Sequence, residues 1–403
     1  MVQIDRGEMT DTSTSDETEA RGSLAQLTGY FLKLGTIGFG GPVALAGYMQ
    51  RDLVDERHWI SDEDYRLAFA LAQISPGPMA AQLAIALGYF KHGVRGATAV
   101  GVAFVLPSFL MVLALAAAYV TFGGLWWMQA LFYGISAAVI GIIAIAAYKL
   151  AGKINGRDPL LWGIFVALAV TTVWAQAELA QLFLIAGLLV LLVHAPPRWL
   201  RVRLPFLSVT PWSLLLPSVT WAAFGPRDDV LWDIFLFFVK AGAFVFGSGL
   251  AIVPFLYSGI VQDRGWLSEQ QFLDAVAVAM ITPGPVVITV AFIGYLVAGV
   301  PGAVVAAVAI FIPVYVLTIV PAPWFKLHRD NAQLRAFADG ATAAASGAIA
   351  GAVVVLAQRA IVDIPTALIA IVSLTILWRF KVPEPLLVLA AGGIGLALRP
   401  IVG

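Results

Sequence analysis

The sequence predicts an all-α, polytopic membrane protein built from two homologous halves, arranged as an inverted-topology repeat with broken helices. Three observations predict it: a composition outside the soluble range, long apolar runs, and a duplicated segment whose loop charges swap sides between copies. Of 403 residues, 60% are hydrophobic and 12% charged, and the mean hydropathy is +0.90. Soluble domains carry about 25% charged and about 45–50% apolar residues. Ala97–Val120 holds no charge, and about 20 such residues cross a bilayer as a helix. Further runs lie near Gly124–Tyr148, Leu160–Trp174, Leu179–Val193, Pro301–Val320, Gly340–Ala357 and Ile364–Trp378. Strands of a barrel would alternate apolar and polar residues, and these runs do not.

Taken from the start, residues 1–22 are polar and acidic and read as a disordered cytoplasmic tail, without the basic-then-apolar pattern of a signal peptide. Residues 23–203 form a first transport repeat. A linker, 204–230, can hold an extra transmembrane helix in Phe206–Phe224, and residues 231–403 form the second repeat. About ten to thirteen crossings fit these segments, fewer where broken helices are re-entrant. Equal numbers of basic and acidic residues argue against nucleic acid. The chain contains no Cys, so disulfides, thiolate metal sites and cysteine nucleophiles are excluded, and its four His are scattered. Nothing calls for a metal or a cofactor.

The duplication is direct. Lys33–Pro78 aligns without a gap on Lys240–Pro285, with 16 of 46 positions identical. These include Gly35/Gly242, Phe39/Phe246, Arg57/Arg264, Trp59/Trp266 and Pro76-Gly77-Pro78/Pro283-Gly284-Pro285, a register that shared composition would not preserve. One residue drops out after the triplet, and the match continues through Gly88/Gly294, Gly93/Gly299, Pro107/Pro313, Gly134/Gly340 and Gly141/Gly347. Lys and Arg favour cytoplasmic loops. Basic loops at Lys91–Arg95, Lys149–Arg157 and Arg198–Arg203 face that side in the first half. In the second half the counterpart of Lys91–Arg95, Val297–Pro301, is uncharged, while Lys326–Arg329 and Arg379–Lys381 are basic. The bias inverts loop by loop, a common build for secondary transporters.

Each half opens alike. A short apolar helix carries a Lys and runs into glycines, Lys33 towards Gly40 and Gly41, Lys240 towards Gly247 and Ser248. The next apolar helix is broken at Ser75-Pro76-Gly77-Pro78, or at Thr282-Pro283-Gly284-Pro285. Two prolines flanking a glycine remove backbone donors and forbid a continuous helix. In hydrocarbon the freed groups must be buried in protein or line a wet cavity. A restarting helix also presents its positive dipole end, which suits an anion. The plain alternative is a packing kink. Lys33 and Lys240 are costly inside an apolar helix; snorkelling to the interface is the alternative, whereas a matched pair of cations would flank a midplane site. The substrate-binding candidates are therefore Lys33, Gly40, Gly41, Ser75, Pro76, Gly77, Pro78, Lys240, Gly247, Ser248, Thr282, Pro283, Gly284 and Pro285.

Arg57 and Arg264, beside Glu56 and Asp263, read as a short surface helix with local ion pairs, anchored at the headgroups by Trp59 and Trp266. Ser61 to Asp64 and Ser268 to Gln271 read as helix N-caps, the second a capping box. No carboxylate sits in the middle of an apolar run, so a proton relay has no obvious carrier. The absence of a Gly-rich phosphate loop argues against ATP binding.

At Gly38-Phe39-Gly40-Gly41-Pro42, Trp59 and the Pro-Gly-Pro of both halves the sequence resembles the chromate ion transporter superfamily, long-chain two-domain type, over nearly the whole chain after the tail. Gly41-Pro42 becomes Ser248-Gly249 in the second half, which departs from the pattern and makes the half-sites unequal. The resemblance implies a carrier of the bacterial inner membrane that exports chromate, a tetrahedral dianion. Sulfate or another oxyanion is the alternative substrate, and a membrane scaffold or enzyme the alternative class, although an enzyme would want His, Asp or Glu clustered at depth. The expected partners are the small oxyanion and the lipid bilayer, and a homodimer is an open alternative for assembly. The charge pattern makes one prediction. Single Cys residues in place of His92 and Ala298 react with impermeant thiol reagents from opposite sides of the membrane; labelling from one side would remove the inverted repeat.

Overall fold

The computed structural model describes residues 22–39, 41–122, 125–175, 180–196, 229–244, 249, 252–328, 331–380 and 382–402, and among them every regular element is helical. The expected tail and the extra helix in the linker lie outside the described residues. The first half contains α1 (Leu24–Ile37), α2 (Gly41–Gln50) continued by a π-helical turn (Arg51–Glu56), α3 (Asp62–Ile74), α4 (Met79–Phe122), α5 (Trp126–Asn155), α6 (Pro159–Ala175) and α7 (Ala180–His194). The second contains α8 (Val230–Ala243), α9 (Ile252–Leu256) with its π-helical turn (Tyr257–Gln262), α10 (Glu269–Ile281), a 3-10 turn (Val286–Ile288), α11 (Thr289–Ile319), α12 (Ala322–His328), α13 (Ala332–Ala360), α14 (Ile364–Arg379) and α15 (Glu384–Val402). Four stretches among the described residues, Met79–Phe122, Trp126–Asn155, Val286–Phe325 and Ala332–Ala360, are long and apolar enough to cross a membrane.

Local chemistry sets the helix starts. Ser23 and Gln26 form a capping box for α1, as do Ser268 and Gln271 for α10, and Ser61 accepts from the Asp64 amide at α3. Asn331 and Asp363 cap α13 and α14. α1 buries Leu27, Tyr30, Phe31 and Leu34, a three-and-four spacing that gives one inward stripe.

α4 is two arms. His92 (φ −134°, ψ 21°) and Gly93 (φ 62°, ψ −152°) leave the helical region, and the chain folds back there. Gly88 and Gly96 face each other across the resulting hairpin so closely that a Cβ on either would strike the other's carbonyl. The second half repeats this turn at Ala298 (φ −143°, ψ 28°) and Gly299 (φ 62°, ψ −152°), with Gly294 against Gly302. In both halves φ is +62° at a glycine, the residue that reaches that region without a Cβ penalty.

Three chain-distant points of the first half meet at one end of the molecule. The imidazole Nε2 of His92 lies 2.9 Å from the Gly22 carbonyl oxygen, and Gly22 also abuts Trp59 and Lys91. The start of α1, the α2–α3 connection and the α4 turn are thus together. It follows that α1–α2 and α3 with arm 79–91 are two helical hairpins entering from that end, with tips just past Gly38 and at 75–78. The second half repeats the anchoring contacts. Trp59 N–H donates to the Leu53 carbonyl, and Trp266 N–H to that of Ile260, both at 2.8 Å. Arg57 lies over the rings of Trp59 (4.7 Å) and Tyr30 (5.3 Å), and Arg264 over Trp266 (5.2 Å) and Phe237 (4.5 Å). The arginines sit at the surface as expected, but they engage aromatic rings.

The halves run in opposite directions. Near the start of arm 94–122, Thr98 bonds Tyr315 at 2.6 Å, close to the end of α11, while near its finish Tyr119 packs on Phe292. Phe292 precedes the α11 turn and lies two residues from Gly294, the glycine that meets Gly302 at the start of the later arm. Equivalent helices therefore cross antiparallel, which makes the repeat inverted. The halves also exchange helices. α5 packs against α14 and α15, and α13 against α6 and α7. Glycine makes these approaches possible: Gly134 abuts Ala391 and Gly395, Gly141 abuts Ala370 and Leu374, Gly347 abuts Phe165, and Gly351 abuts Ala169. Small residues let membrane helices approach at backbone distance, where dispersion replaces the missing hydrophobic drive.

A Cβ at Gly347 would meet the Phe165 backbone, which cannot rotate away, whereas one at Gly152 meets nothing within 4 Å. Gly347→Val is expected to cost about 1–3 kcal/mol or more through overpacking, and Gly152→Ala to be neutral or mildly stabilising. The thermal midpoint of the detergent-purified chain, followed by fluorescence-detected size exclusion, distinguishes the two.

Candidate functional site at the hairpin tips

The hairpin tips of the two halves meet. The Gly284 N–H donates to the Gly38 carbonyl oxygen at 3.0 Å. Ser108, 0% exposed and in the middle of arm 94–122, donates its hydroxyl to the Pro283 carbonyl (2.7 Å) and, at longer range, to that of Gly35 (3.3 Å). Gly284 has φ 95°, and a Cβ there would collide with the Ser108 hydroxyl, so only glycine fits. Gly35 lies against the carbonyls of Ala103 and Phe104, and Gly242 against that of Ile310. Pro107 and Pro313 stand beside these contacts, and each removes the intrahelical donor for the carbonyl four residues earlier, those of Ala103 and Ala309.

The first-half break is closed by its own chain. Ser75 caps α3 with its N–H on Leu71, and the Gln82 amide donates to the Pro76 carbonyl at 2.7 Å. Gly77 (φ 144°) lies so near the Gln82 amide that a Cβ would overlap it. Gln82 is 0% exposed, and its Oε1 is buried without a partner among the described residues. Thr282 turns its hydroxyl back onto the Val278 and Ala279 carbonyls. α2 and α4 start just past the first-half tips, and the 3-10 turn leading into α11 follows Pro285. Unsatisfied amides and a positive dipole end are general properties of such helix starts.

Lys33 lies one turn before the α1 tip on the exposed side of the helix, with Leu32, Thr36 and Ile37, opposite the buried stripe. Lys240 is likewise exposed on α8, its ammonium 6.0 Å from the centre of the Phe255 ring. Neither side chain enters the packed contact between tips. Gly40, Gly247 and Ser248 lie outside the described residues. Among those described, no group of His, Cys, Asp and Glu could hold a metal ion.

A family model described as "Chromate transporter" matches residues 25–193 and 232–396, one stretch in each half. The chain belongs to the chromate transporter family. It is 58% identical to the chromate transport protein of Cupriavidus metallidurans, covering 97% of each chain. It is 57% identical to a probable chromate transport protein of Synechococcus elongatus, over 92% of this chain and 94% of that one. It is 31% identical to the chromate transport protein of Pseudomonas aeruginosa, over 94% and 93%. No solved structure matches.

Two residues of this chromate transporter family member escape the sequence reading. Ser108 is the polar residue at the centre of the uncharged run Ala97–Val120, next to a helix-interior proline, and that neighbourhood is its signal. Asp274 lies outside the middle of the apolar runs, yet it is a buried carboxylate, which the expectation of no obvious proton carrier overlooks. It is 3% exposed and accepts from Tyr119 Oη (2.7 Å), Gln270 Nε2 (2.8 Å) and, at longer range, Ser136 Oγ (3.4 Å). Five residues after Glu269 it reads as part of a polar helix head, yet α10 dives inward from its cap and carries the carboxylate with it.

Ser108→Ala leaves the Pro283 and Gly35 carbonyls without this donor in a site closed to water. The expected cost is about 1–3 kcal/mol, read as a lowered thermal midpoint. Thr36→Ala, at an exposed position whose hydroxyl bonds only its own helix, is the comparison and stays within about 0.5 kcal/mol.

Proposed function

We propose that the chain is a secondary carrier of the bacterial inner membrane that exports chromate by alternating access. The observation that carries this reading is the meeting of hairpin tips from oppositely directed halves, Gly38 against Gly284 with Ser108 between them, in a member of the chromate transporter family. Chromate binds beside these tips. Its oxygens take amides near Gly40 and Gly41, at the restart after Ser75-Pro76-Gly77-Pro78, at Gly247 and Ser248, and at the restart after Thr282-Pro283-Gly284-Pro285. A tetrahedral dianion suits several helix starts at once, because each supplies N–H donors without a proton to lose.

Lys33 and Lys240 supply the balancing charge. Each lies about one helical turn before the end of its helix, at Ile37 or Ala243, so a long flexible side chain on the exposed flank can swing to an anion beyond it. Their exposure fits cations that meet the substrate on its way in. Rocking of the hairpins of one half against the other opens the tips to alternate sides.

Chromate uptake by everted vesicles at matched expression tests the reading, with sulfate as competitor. A charged hydrogen bond is worth about 1.5–3 kcal/mol, so Lys33→Ala and Lys240→Ala each weaken apparent affinity roughly ten- to a hundredfold. Lys→Arg does less harm, Lys33 is the more severe position because Gly41-Pro42 is replaced by Ser248-Gly249 in the second half, and Arg57→Ala is milder than either. Normal affinity in the double Lys→Ala variant removes the lysines from the site. Saturation by sulfate with no chromate transport moves the substrate assignment to sulfate.

A further inference from the structure

Asp274 is not used by the anion site. It lies on α10, eight residues before the Thr282 tip, and lines a cavity of about 540 Å³. That cavity reaches the surface at Ser268 and Gln270, both exposed, on the face that the charge pattern assigns to the outside. Among the described residues no Lys, Arg or His forms an ion pair with it. Its neighbours are hydrogen-bond donors: a phenol, a primary amide and a hydroxyl. A sodium-sized cation would need several acceptor oxygens facing it, and a shell of donors turned towards the carboxylate offers the opposite. A carboxylate so placed, itself buried but reachable from a cavity of mixed polar and apolar lining that opens to the surface, is built to gain and lose a proton.

The duplicated half shows that the fold does not demand this arrangement. By the repeat register Asp274 corresponds to Leu67 and Tyr119 to Phe325. Those two are buried in one apolar cluster. An apolar pair fills the position in one half and a hydrogen-bonded acid and phenol fill it in the other.

The other titratable groups around α10 are otherwise engaged. Glu269, on the same helix, meets Arg359 of α13 (3.2 Å) and Tyr257 of the π-helical turn (3.1 Å), and Tyr133 of α5 bonds Asp363 at the α14 cap. Tyr119, from arm 94–122, is the titratable side chain that bonds Asp274 directly.

We infer that Asp274 is the proton-binding residue that couples a proton to substrate movement, loading from the cavity at the head of α10. This rests on the carrier reading above. The mechanical link is on the same two helices. Arm 94–122 and α10 are held by two polar rungs, Ser108 to Pro283 at the tip and Tyr119 to Asp274 nearer the surface. Protonation removes the charge that Tyr119 donates to and weakens the outer rung. α10 is then freer to shift, and its far end carries the tip that contacts Gly38.

The test uses the full chain in proteoliposomes with an internal pH dye, at alkaline pH where chromate is the dianion and brings no proton of its own. Wild type is expected to move protons when a chromate gradient is imposed. Asp274→Asn retains measurable chromate–chromate exchange, loses the proton signal at least tenfold and exchanges independently of pH, while Asp274→Glu keeps part of the signal. Tyr119→Phe removes one donor to the charged carboxylate and moves the pH dependence of transport to higher pH; it decides the matter if Asp274→Asn does not fold. A wild-type proton signal in Asp274→Asn, or an unmoved pH profile in Tyr119→Phe, overturns the assignment. Chromate transport by wild type without any proton signal also overturns it and leaves the carrier standing, whereas no chromate transport by wild type removes the carrier reading itself.

Discussion

A helix that stops inside a membrane leaves backbone carbonyls and amides with nothing to bond, and hydrocarbon offers no water to take them. Helical hairpins impose that problem on this chain, and among the described residues their tips are satisfied largely by protein. The Gly284 amide finds the Gly38 carbonyl, Ser108 serves the Pro283 and Gly35 carbonyls, and Gln82 serves Pro76. Each unmet group would cost several kcal/mol in lipid. This need brings Gly35, Gly77 and Gly284 so near their neighbours that no Cβ fits. It also fixes which half's tip faces which.

The long helices answer a second demand. With lipid tails as apolar as leucine, apolar matching alone does not hold membrane helices together, and close packing must. α13 is rich in Ala and Gly, and its glycines seat on α6 and α7 of the other half. α5 receives α14 and α15 in the same manner. Because each half's terminal helices pack on the other half's long helix, the two repeats are interlocked and cannot separate as free rigid bodies. In the carrier proposed here, the hairpins are the parts left to rock, with the interlocked helices as their frame.

The broad plan was legible because it is written twice. Pro76-Gly77-Pro78 and Pro283-Gly284-Pro285 mark the broken helices, and the inverted charge of Lys91–Arg95 against Val297–Pro301 anticipates the antiparallel crossing marked by Thr98 on Tyr315 at one end and Tyr119 on Phe292 at the other. The direction of single side chains was less legible, since an apolar run gives depth but not azimuth. Lys33 shows why: Leu27, Tyr30, Phe31 and Leu34 define the buried stripe of α1, and Lys33 falls outside it. Within that short segment the helical period itself sets Lys33 apart from the stripe. Ser108 needed more, because its role depends on a carbonyl 175 residues away.

The differences between the copies bear most on function. Two identical inverted halves give a site that looks the same from either side, and nothing in such a site selects a direction. This chain departs from that symmetry at Gly41-Pro42 against Ser248-Gly249, at Gln82 against Ile288, and at Leu67 with Phe325 against Asp274 with Tyr119. The last is the strongest departure, because it sets a hydrogen-bonded ionisable group in one half where the other has two residues buried in one apolar cluster. A group that titrates on one side only responds to the chemistry of that side. A duplicated scaffold can therefore supply the two access states, and a single diverged pair can make them unequal in energy.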